Sequence, residues 1–319
     1  MKSFVVGGAG FIGSHLVEQL AASGSVTVYD NFSVGKPAFL ETALRSGRVQ
    51  VVTGDVLDAA ALETAIAGHA GHAGHDRVFH LSANPEARWG LERPRLDLEQ
   101  GTIATSNVLE AARRQGVKQI VFASSGTVYG NTPEPGKEGH LSLLPISLYG
   151  ASKLAGEALI AAYVECFGLT ATICRFGNVV GPRGTHGAIL DFCMKLAATP
   201  NVLEVLGDGR QSKPYLHVDD CVAGLLFAAT EGERPLGIYN LAPPDFTTVS
   251  RIAELCVAAS PNPKANIVYT GGTQGWKGDV PQRRLDPSRL GDLGFRVRSS
   301  SDDAVRRAVL EVAQQVFHP

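Results

Sequence analysis

The sequence lacks the features that mark several large classes of protein. It has no extended run of Lys and Arg, and its 29 basic and 31 acidic residues leave a formal net charge of -2. A dedicated nucleic-acid binder needs a basic face to neutralise phosphates, so any phosphate-bearing partner is expected to be a small molecule. No apolar stretch approaches the roughly 20 residues that cross a bilayer, so no membrane span is expected. The five cysteines, Cys166, Cys174, Cys193, Cys221 and Cys256, form no CxxC pair. In their apolar surroundings they read as reduced core thiols of a cytoplasmic protein. The chain opens on Lys2-Ser3-Phe4-Val5-Val6-Gly7, which reads as a core strand, so no signal peptide is expected.

Glycine, in contrast, is abundant: 36 of 319 residues, above the usual share of about 7%. The length allows one large domain or two unequal ones, and a composition of 44% hydrophobic and 19% charged residues excludes disorder, collagen and coiled coil. The first half alternates short β-branched runs with helical patterns, with strands expected at 3–6, 25–29, 49–53, 77–81, 119–124 and 170–175. Helices are expected near 11–22, 58–67, 94–115 and 147–167. This is the signature of repeated βαβ units, an α/β fold with a Rossmann-type doubly wound parallel sheet of six strands.

Beyond Arg175 the pattern loosens into Gly/Pro-rich loops, a helix near 187–198 and short strands near 202–206, 237–241 and 266–269. A last helix, with Ala304, Val305, Ala308, Val309, Val312 and Val316 at helical spacing, is expected to close a smaller, discontinuous C-terminal domain. The expected division is a Rossmann domain over 1–177 plus about 214–244, and a second domain over about 178–213 and 245–319. The repeat Gly68-His-Ala-Gly-His-Ala-Gly-His75 places three histidines at spacing three. The small residues between them favour a flexible loop, and no metal is assigned.

Gly7-Gly8-Ala9-Gly10-Phe11-Ile12-Gly13 follows the first strand and opens the first helix. Glycines 7, 10 and 13 allow a tight turn, close approach of backbone N–H groups to a pyrophosphate, and close packing of helix on strand. Asp30 ends the second strand 17 residues after Gly13, where a carboxylate accepts hydrogen bonds from the adenosine ribose and repels a 2′-phosphate. NAD is therefore expected in preference to NADP. Asp55, in Gly54-Asp55-Val56, and Leu81, Ser82 and Ala83 end the third and fourth strands on the ligand side of the sheet.

Tyr149-Gly-Ala-Ser-Lys153 puts a phenol and an ammonium four residues apart, on one face of a helix. An ammonium near a phenol stabilises the phenolate, so Tyr149 can act as a base near neutral pH. Upstream, Ser124 and Ser125 in Phe122-Ala-Ser-Ser-Gly-Thr-Val-Tyr-Gly130 end the fifth strand with hydroxyls able to bond a substrate hydroxyl.

Taken in order, these motifs resemble the extended short-chain dehydrogenase/reductase family, and within it the NAD-dependent nucleotide-sugar epimerases. The resemblance covers nearly the whole chain: Gly7 to Gly13, Asp30-Asn31, Gly54-Asp55-Val56, Ser124 to Gly130, Tyr149 to Lys153, Arg175-Phe-Gly-Asn178-Val-Val-Gly-Pro182, and Gly207 to Gln211 through His217-Val-Asp-Asp220. It implies bound NAD, held by Gly7, Gly10, Phe11, Ile12, Gly13, Asp30, Asn31, Asp55, Val56, Leu81, Ser82, Ala83, Tyr149 and Lys153. It further implies that Tyr149, assisted by Ser125, takes the proton of a sugar 4-hydroxyl while the C4 hydride passes to NAD, and that the 4-keto sugar regains hydride on its other face.

The related 4,6-dehydratases carry Asp-Glu after the equivalent hydroxyl residue, where this chain has Gly126-Thr127. That favours 4-epimerisation of a UDP-hexose over 4,6-dehydration; uronate decarboxylation and a non-catalytic NAD-binding sensor are the remaining alternatives. The resemblance places Asn178, Lys213 and Asp279 at the UDP-sugar, Lys213 standing where arginine is common and so offering a point charge in place of a fork. Asn178 leans toward a neutral hexose, whereas Arg88 and Arg183 are able to reach a uronate carboxylate. Ile103, Val108, Leu109, Leu154, Leu159 and Ile160 spread apolar surface over more than one helix face, and the resemblance implies a homodimer. Gly101 has no role in any of these motifs.

Overall fold

A computed structural model describes residues 1–68 and 75–318. Its strands are β1 (Lys2–Val6), β2 (Ser25–Asp30), β3 (Val49–Thr53), β4 (Arg77–His80), β5 (Gln119–Ser125), β6 (Thr170–Phe176), β7 (Asn178–Val180), β8 (Val202–Val205), β9 (Ser212–Lys213), β10 (Tyr215–His217), β11 (Leu236–Leu241), β12 (Thr247–Thr248) and β13 (Asn266–Tyr269). Two compact units emerge. The first comprises Met1–Ser125, Leu148–Arg175 and Leu225–Tyr239; the second comprises Gly126–Ser147, Phe176–Gly224 and Asn240–Pro319.

The first unit is built on a seven-stranded parallel sheet of order β11-β6-β5-β4-β1-β2-β3. The order reverses between β1 and β4, so the sheet is doubly wound and its ligand crevice lies at the carboxyl ends of those strands. Val5, Val28, Val78, Ile120 and Ile173 are buried because helices cover both faces of a parallel sheet. One core gathers Phe4, Tyr29, Leu62, Ile66, Leu109, Phe122 and Ile160. The seventh strand corrects the expected six. The run near 237–241, read above with the looser second half, continues the sheet beyond β6, and Ala171 N donates to Pro235 O at 2.8 Å.

The helix expected over 94–115 is also corrected. It forms as Pro94–Asp97, a π-helical segment Leu98–Ile103, and Ala104–Arg114. The interruption surrounds Gly101, where a Cβ would lie 2.4 Å from Ser152 Oγ, so the two helices cross too closely for any side chain. Of the apolar residues spread over more than one helix face, Val108, Leu109 and Ile160 lie in the unit's own core, while Ile103 is exposed. Of the Gly/His repeat, His69 and His72 lie outside the described residues. His75 is anchored, with Nδ1 2.8 Å from Ile66 O and Nε2 3.0 Å from Thr27 Oγ1.

The second unit packs helices Ala188–Ala198, Val249–Ala258 and Ser301–Phe317 around Phe192, Leu196, Leu203, Val205, Ile252, Val305 and Val309. The last helix closes this core as expected, capped by Ser300, whose Oγ accepts from Asp303 N at 3.2 Å. Three two-stranded ribbons, β10-β7, β12-β9 and β13-β8, carry its loops. Segment 126–147, expected within the Rossmann domain, groups with this unit. Gly130 bridges Leu144, Gly136 bridges Leu285, and Asn240 Nδ2 donates to Gly136 O at 2.8 Å. Residues 214–224 and 240–244 likewise fall here. The helices Val218–Glu231 and Val249–Ala258 were not anticipated.

Candidate active site

The glycine turn is shaped by contacts that no side chain would permit. Gly7 has φ +79, and a Cβ on it would lie 2.7 Å from Ser82 N. The end of β4, with Leu81 and Ser82, therefore lies directly against the turn. A Cβ on Gly13 would lie 2.2 Å from Gly7 O, which allows helix Phe11–Ser23 to start hard against β1. Gly10 caps that helix without a side-chain hydrogen bond, and its first turn holds no acidic residue. Its N-terminal N–H groups are thus left for an anion.

Asp30 is buried at the end of β2, and burial raises its pKa. Its Oδ2 accepts from Ala9 N at 2.9 Å and its Oδ1 from Phe32 N at 2.8 Å, which ties the carboxylate to the glycine turn. Asn31 Nδ2 donates to Asp55 Oδ2 at 3.0 Å, and Leu57 N donates to Asp55 Oδ1 at 2.9 Å. Asn107 Nδ2 donates to Val56 O at 3.0 Å. Gly7, Gly10, Gly13, Asp30, Asn31, Asp55, Leu81 and Ser82 thus form one continuous rim. The cradle has the room and the donors for a pyrophosphate and a carboxylate for ribose hydroxyls, so the residues present fit NAD. Phe11 and Ile12 open the helix at this turn and Ala83 follows Ser82, all three partly buried.

Tyr149 enters in the first turn of helix Leu148–Phe167, with Lys153 one turn on. Lys153 is buried; its Nζ donates to Ala123 O at 2.7 Å and lies 4.9 Å from the Phe122 ring centre and 5.8 Å from that of Tyr149. Burial pulls its pKa down to about 8, against the attraction of Glu157 and Asp97. His80 Nε2 lies 3.0 Å from Thr105 Oγ1 and its Nδ1 3.3 Å from Ser82 Oγ. Burial, with the nearby Lys153 charge, holds its pKa at about 3, so the imidazole is neutral. Ser125 stands half-buried at the end of β5. Ser124, expected at the substrate, is buried and donates its hydroxyl to Glu157 Oε1 at 2.5 Å.

In the second unit, Lys213 and Asp279 are brought together as a buried ion pair at 2.6 Å, and burial lowers the Lys213 pKa. Asn178 Oδ1 accepts from Arg283 Nη1 at 3.3 Å. Arg183 holds a left-handed backbone, φ 64. Arg88, in the first unit, is exposed and pairs with Glu86 at 2.8 Å.

Sequence reasoning missed Glu157, Asp97, Asn84, His80 and Arg283. Glu157 had a detectable signal, an acid four residues after Lys153 and so on the same helix face. Asp97 is buried, with Oδ1 accepting from Asn84 Nδ2 at 3.0 Å and Oδ2 without a hydrogen-bond partner.

The profile of the NAD dependent epimerase/dehydratase family matches residues 3–242. A solved structure of a UDP-galactose 4-epimerase is 37% identical, with TM-score 0.83, over 99% of this chain and 100% of that one. The UDP-glucose 4-epimerase of Thermus thermophilus, solved in complex with NAD, is 29% identical with TM-score 0.84, over 98% of this chain and 99% of that one. The UDP-N-acetyl-alpha-D-glucosaminuronate decarboxylase of Bacillus cytotoxicus is 32% identical, over 92% of this chain and 91% of its own length. Similarity thus extends to enzymes of more than one reaction outcome. The chain belongs to the NAD-dependent epimerase/dehydratase family.

Proposed function

We propose that the protein is an NAD-dependent 4-epimerase of a UDP-hexose, with UDP-glucose/UDP-galactose or UDP-glucuronate/UDP-galacturonate as the substrate pair. The observation that carries the proposal is the buried Lys153, fixed to Ala123 O and set beside the Tyr149 ring at the end of the strand that bears Ser125. A protonated lysine there stabilises the Tyr149 phenolate, which accepts the sugar 4-hydroxyl proton and later returns it. Ser125 bonds that hydroxyl and orients it. NAD, held by Gly7, Gly10, Gly13, Asp30 and Asn31, supplies reversible acceptance of the C4 hydride. In the second unit Asn178, Lys213 and Asp279 bind the nucleotide sugar, with Lys213 as the cation toward the diphosphate. Because hydride and proton both return, product and substrate have equal mass.

Incubation with each of the four UDP-sugars, followed by NMR of the C4 configuration, tests the reading; inversion of none of them rules it out. A second reading, uronate decarboxylation, is favoured by the likeness to a decarboxylase, and mass spectrometry of the product separates it through loss of CO2. 4,6-Dehydration is disfavoured by Gly126-Thr127, which offer neither acid nor base. We further propose a cytoplasmic homodimer; among the described residues no helix is long and apolar enough to cross a membrane. Exposed Leu98, Ile103 and Phe167 supply apolar surface for a second copy, and sedimentation as a monomer at micromolar concentration excludes the dimer.

A further inference from the structure

Helix Leu148–Phe167 is joined to two strands by a charge that the proposed chemistry leaves unused. Glu157 lies one turn beyond Lys153, and its side chain is 5% exposed. Its Oε1 accepts from Ser124 Oγ at 2.5 Å and from Arg175 Nε at 3.0 Å. Its Oε2 accepts from Arg175 Nη2 at 2.6 Å and from Nε at 3.2 Å. One carboxylate therefore fastens the helix to the last residues of β5 and of β6. A buried pair of this kind adds little stability over apolar residues of equal volume. What it supplies is fixed geometry and charge.

We propose that Glu157, braced by Arg175, is a positioning residue for the Ser125/Tyr149/Lys153 set, acting through Ser124 on the strand and through the helix on Lys153. The inference rests on the proposed reaction only for its kinetic readout. Three consecutive strand residues carry the geometry. Ala123 O is held by Lys153 and Ser124 Oγ by Glu157, both from the same helix, and Ser125 follows immediately. Strand alternation sends the Ser124 and Ser125 side chains to opposite faces, so fastening the first fixes the backbone that aims the second.

The same carboxylate sets the charge around Lys153. The groups facing that ammonium are Glu157 on its own helix, Asp97 on Pro94–Asp97, neutral His80 on β4, and the Tyr149 phenol. Glu157 and Asp97 both favour the ammonium. With Arg175 counted, two cations face two carboxylates. Glu157→Gln keeps the volume and two hydrogen-bonding atoms but leaves Lys153 and Arg175 opposed by Asp97 alone, which lowers the pKa of every neighbouring group.

The test uses the NAD-bound holoenzyme and compares Glu157→Gln, Glu157→Asp and Ser124→Ala with wild type. For Glu157→Gln the pH–rate profile should move acidward by about half a unit or more, kcat should fall about tenfold or more, and KM should stay unchanged. Glu157→Asp restores the position of the profile. Ser124→Ala keeps the ion pair and should lower kcat about fivefold or more with the profile unmoved. A wild-type profile in Glu157→Gln, with only the melting temperature lowered, overturns the proposal. If Glu157→Gln does not fold, unchanged kcat in Ser124→Ala overturns it. Tyrosinate absorbance, taken as the difference from Tyr149→Phe across pH, needs no sugar substrate. A shift there in Glu157→Gln supports the proposal even where wild type turns over none of the four UDP-sugars, an outcome that removes the epimerase reading alone.

Discussion

The Lys153 ammonium donates to the Ala123 carbonyl oxygen at 2.7 Å while lying 5.8 Å from the centre of the Tyr149 ring. One bond holds the charge in place and the other relationship puts it to use, since a cation beside a phenol favours the phenolate. Tyr149→Phe removes the proton acceptor without removing volume. It should retain NAD and lose turnover by about a hundredfold to ten-thousandfold, measured as C4 inversion by NMR against cofactor content by absorbance.

Lys153 also predicts opposite pH trends for activity and stability. Its folded pKa of about 8 lies below the ordinary 10.5. As pH rises through about 8 the ammonium is lost and turnover should fall. Between the folded and unfolded values the unfolded chain binds more protons, so this residue's contribution to stability rises with pH across that window. Chemical denaturation and initial rates, each measured from pH 7 to pH 10, should therefore diverge for wild type. Lys153→Met removes both trends; persistence of the stability rise in that variant assigns it to another group.

The glycine turn offers a steric prediction. A Cβ at Gly13 would lie 2.2 Å from Gly7 O and 2.8 Å from Gly8 Cα, all backbone, which cannot yield as a side chain does. Gly13→Ala should cost about 1–3 kcal/mol in stability and release NAD. Gly47, with φ +69 and nothing within 4 Å of its added Cβ, is the control: alanine there strains only the local backbone and leaves the cofactor bound.

The Rossmann half was legible because its signals are local. Periodic β-branched runs, glycines at fixed spacing and an acid at a strand end are each written within a few residues of one another. What was not legible depends on partners distant in sequence. Gly101 shows this: its meaning is Ser152, 51 residues on, whose side chain occupies the space of a Cβ. The segment around it, Leu98–Ile103, is π-helical, which no helical periodicity forecasts. Ser124 is a second case. A hydroxyl at a strand end reads as a substrate contact, and only the fold reveals that Glu157, 33 residues later, takes its hydrogen bond. β11 reads as an isolated short strand until β6 is placed beside it. Segment 126–147 carries no compositional boundary, and its allegiance to the second unit is set by the bridge of Gly136 to Leu285 and by the Asn240 Nδ2 bond to Gly136 O.

Gly101→Ala tests the crossing directly. Its Cβ would meet Ser152 Oγ at 2.4 Å and Cβ at 2.6 Å, with Lys153 the next residue on the same helix. The variant should lose about 1–3 kcal/mol. Combining it with Ser152→Gly, which empties that space, should recover most of the loss, and a double-mutant cycle by denaturation gives the coupling. Additive losses separate Gly101 from Ser152.

Lys213 and Asp279 are expected to serve two roles that substitution can separate. As a buried pair 2.6 Å apart, each leaves an uncompensated charge when the other is removed, and either Lys213→Met or Asp279→Asn should cost about 3 kcal/mol. The two variants are expected to part company toward a ligand. Lys213→Met deletes the cation proposed to face the diphosphate, so UDP affinity should fall about tenfold or more. Asp279→Asn leaves that cation with less competition from its own carboxylate, so UDP affinity should hold or rise. Calorimetric titration of UDP into both holoproteins, under conditions where each is folded, decides the matter. Equal weakening in the two makes the pair structural only and transfers the anion-binding role to another cation, with Arg283, bonded to Asn178 Oδ1 at 3.3 Å, the first to substitute.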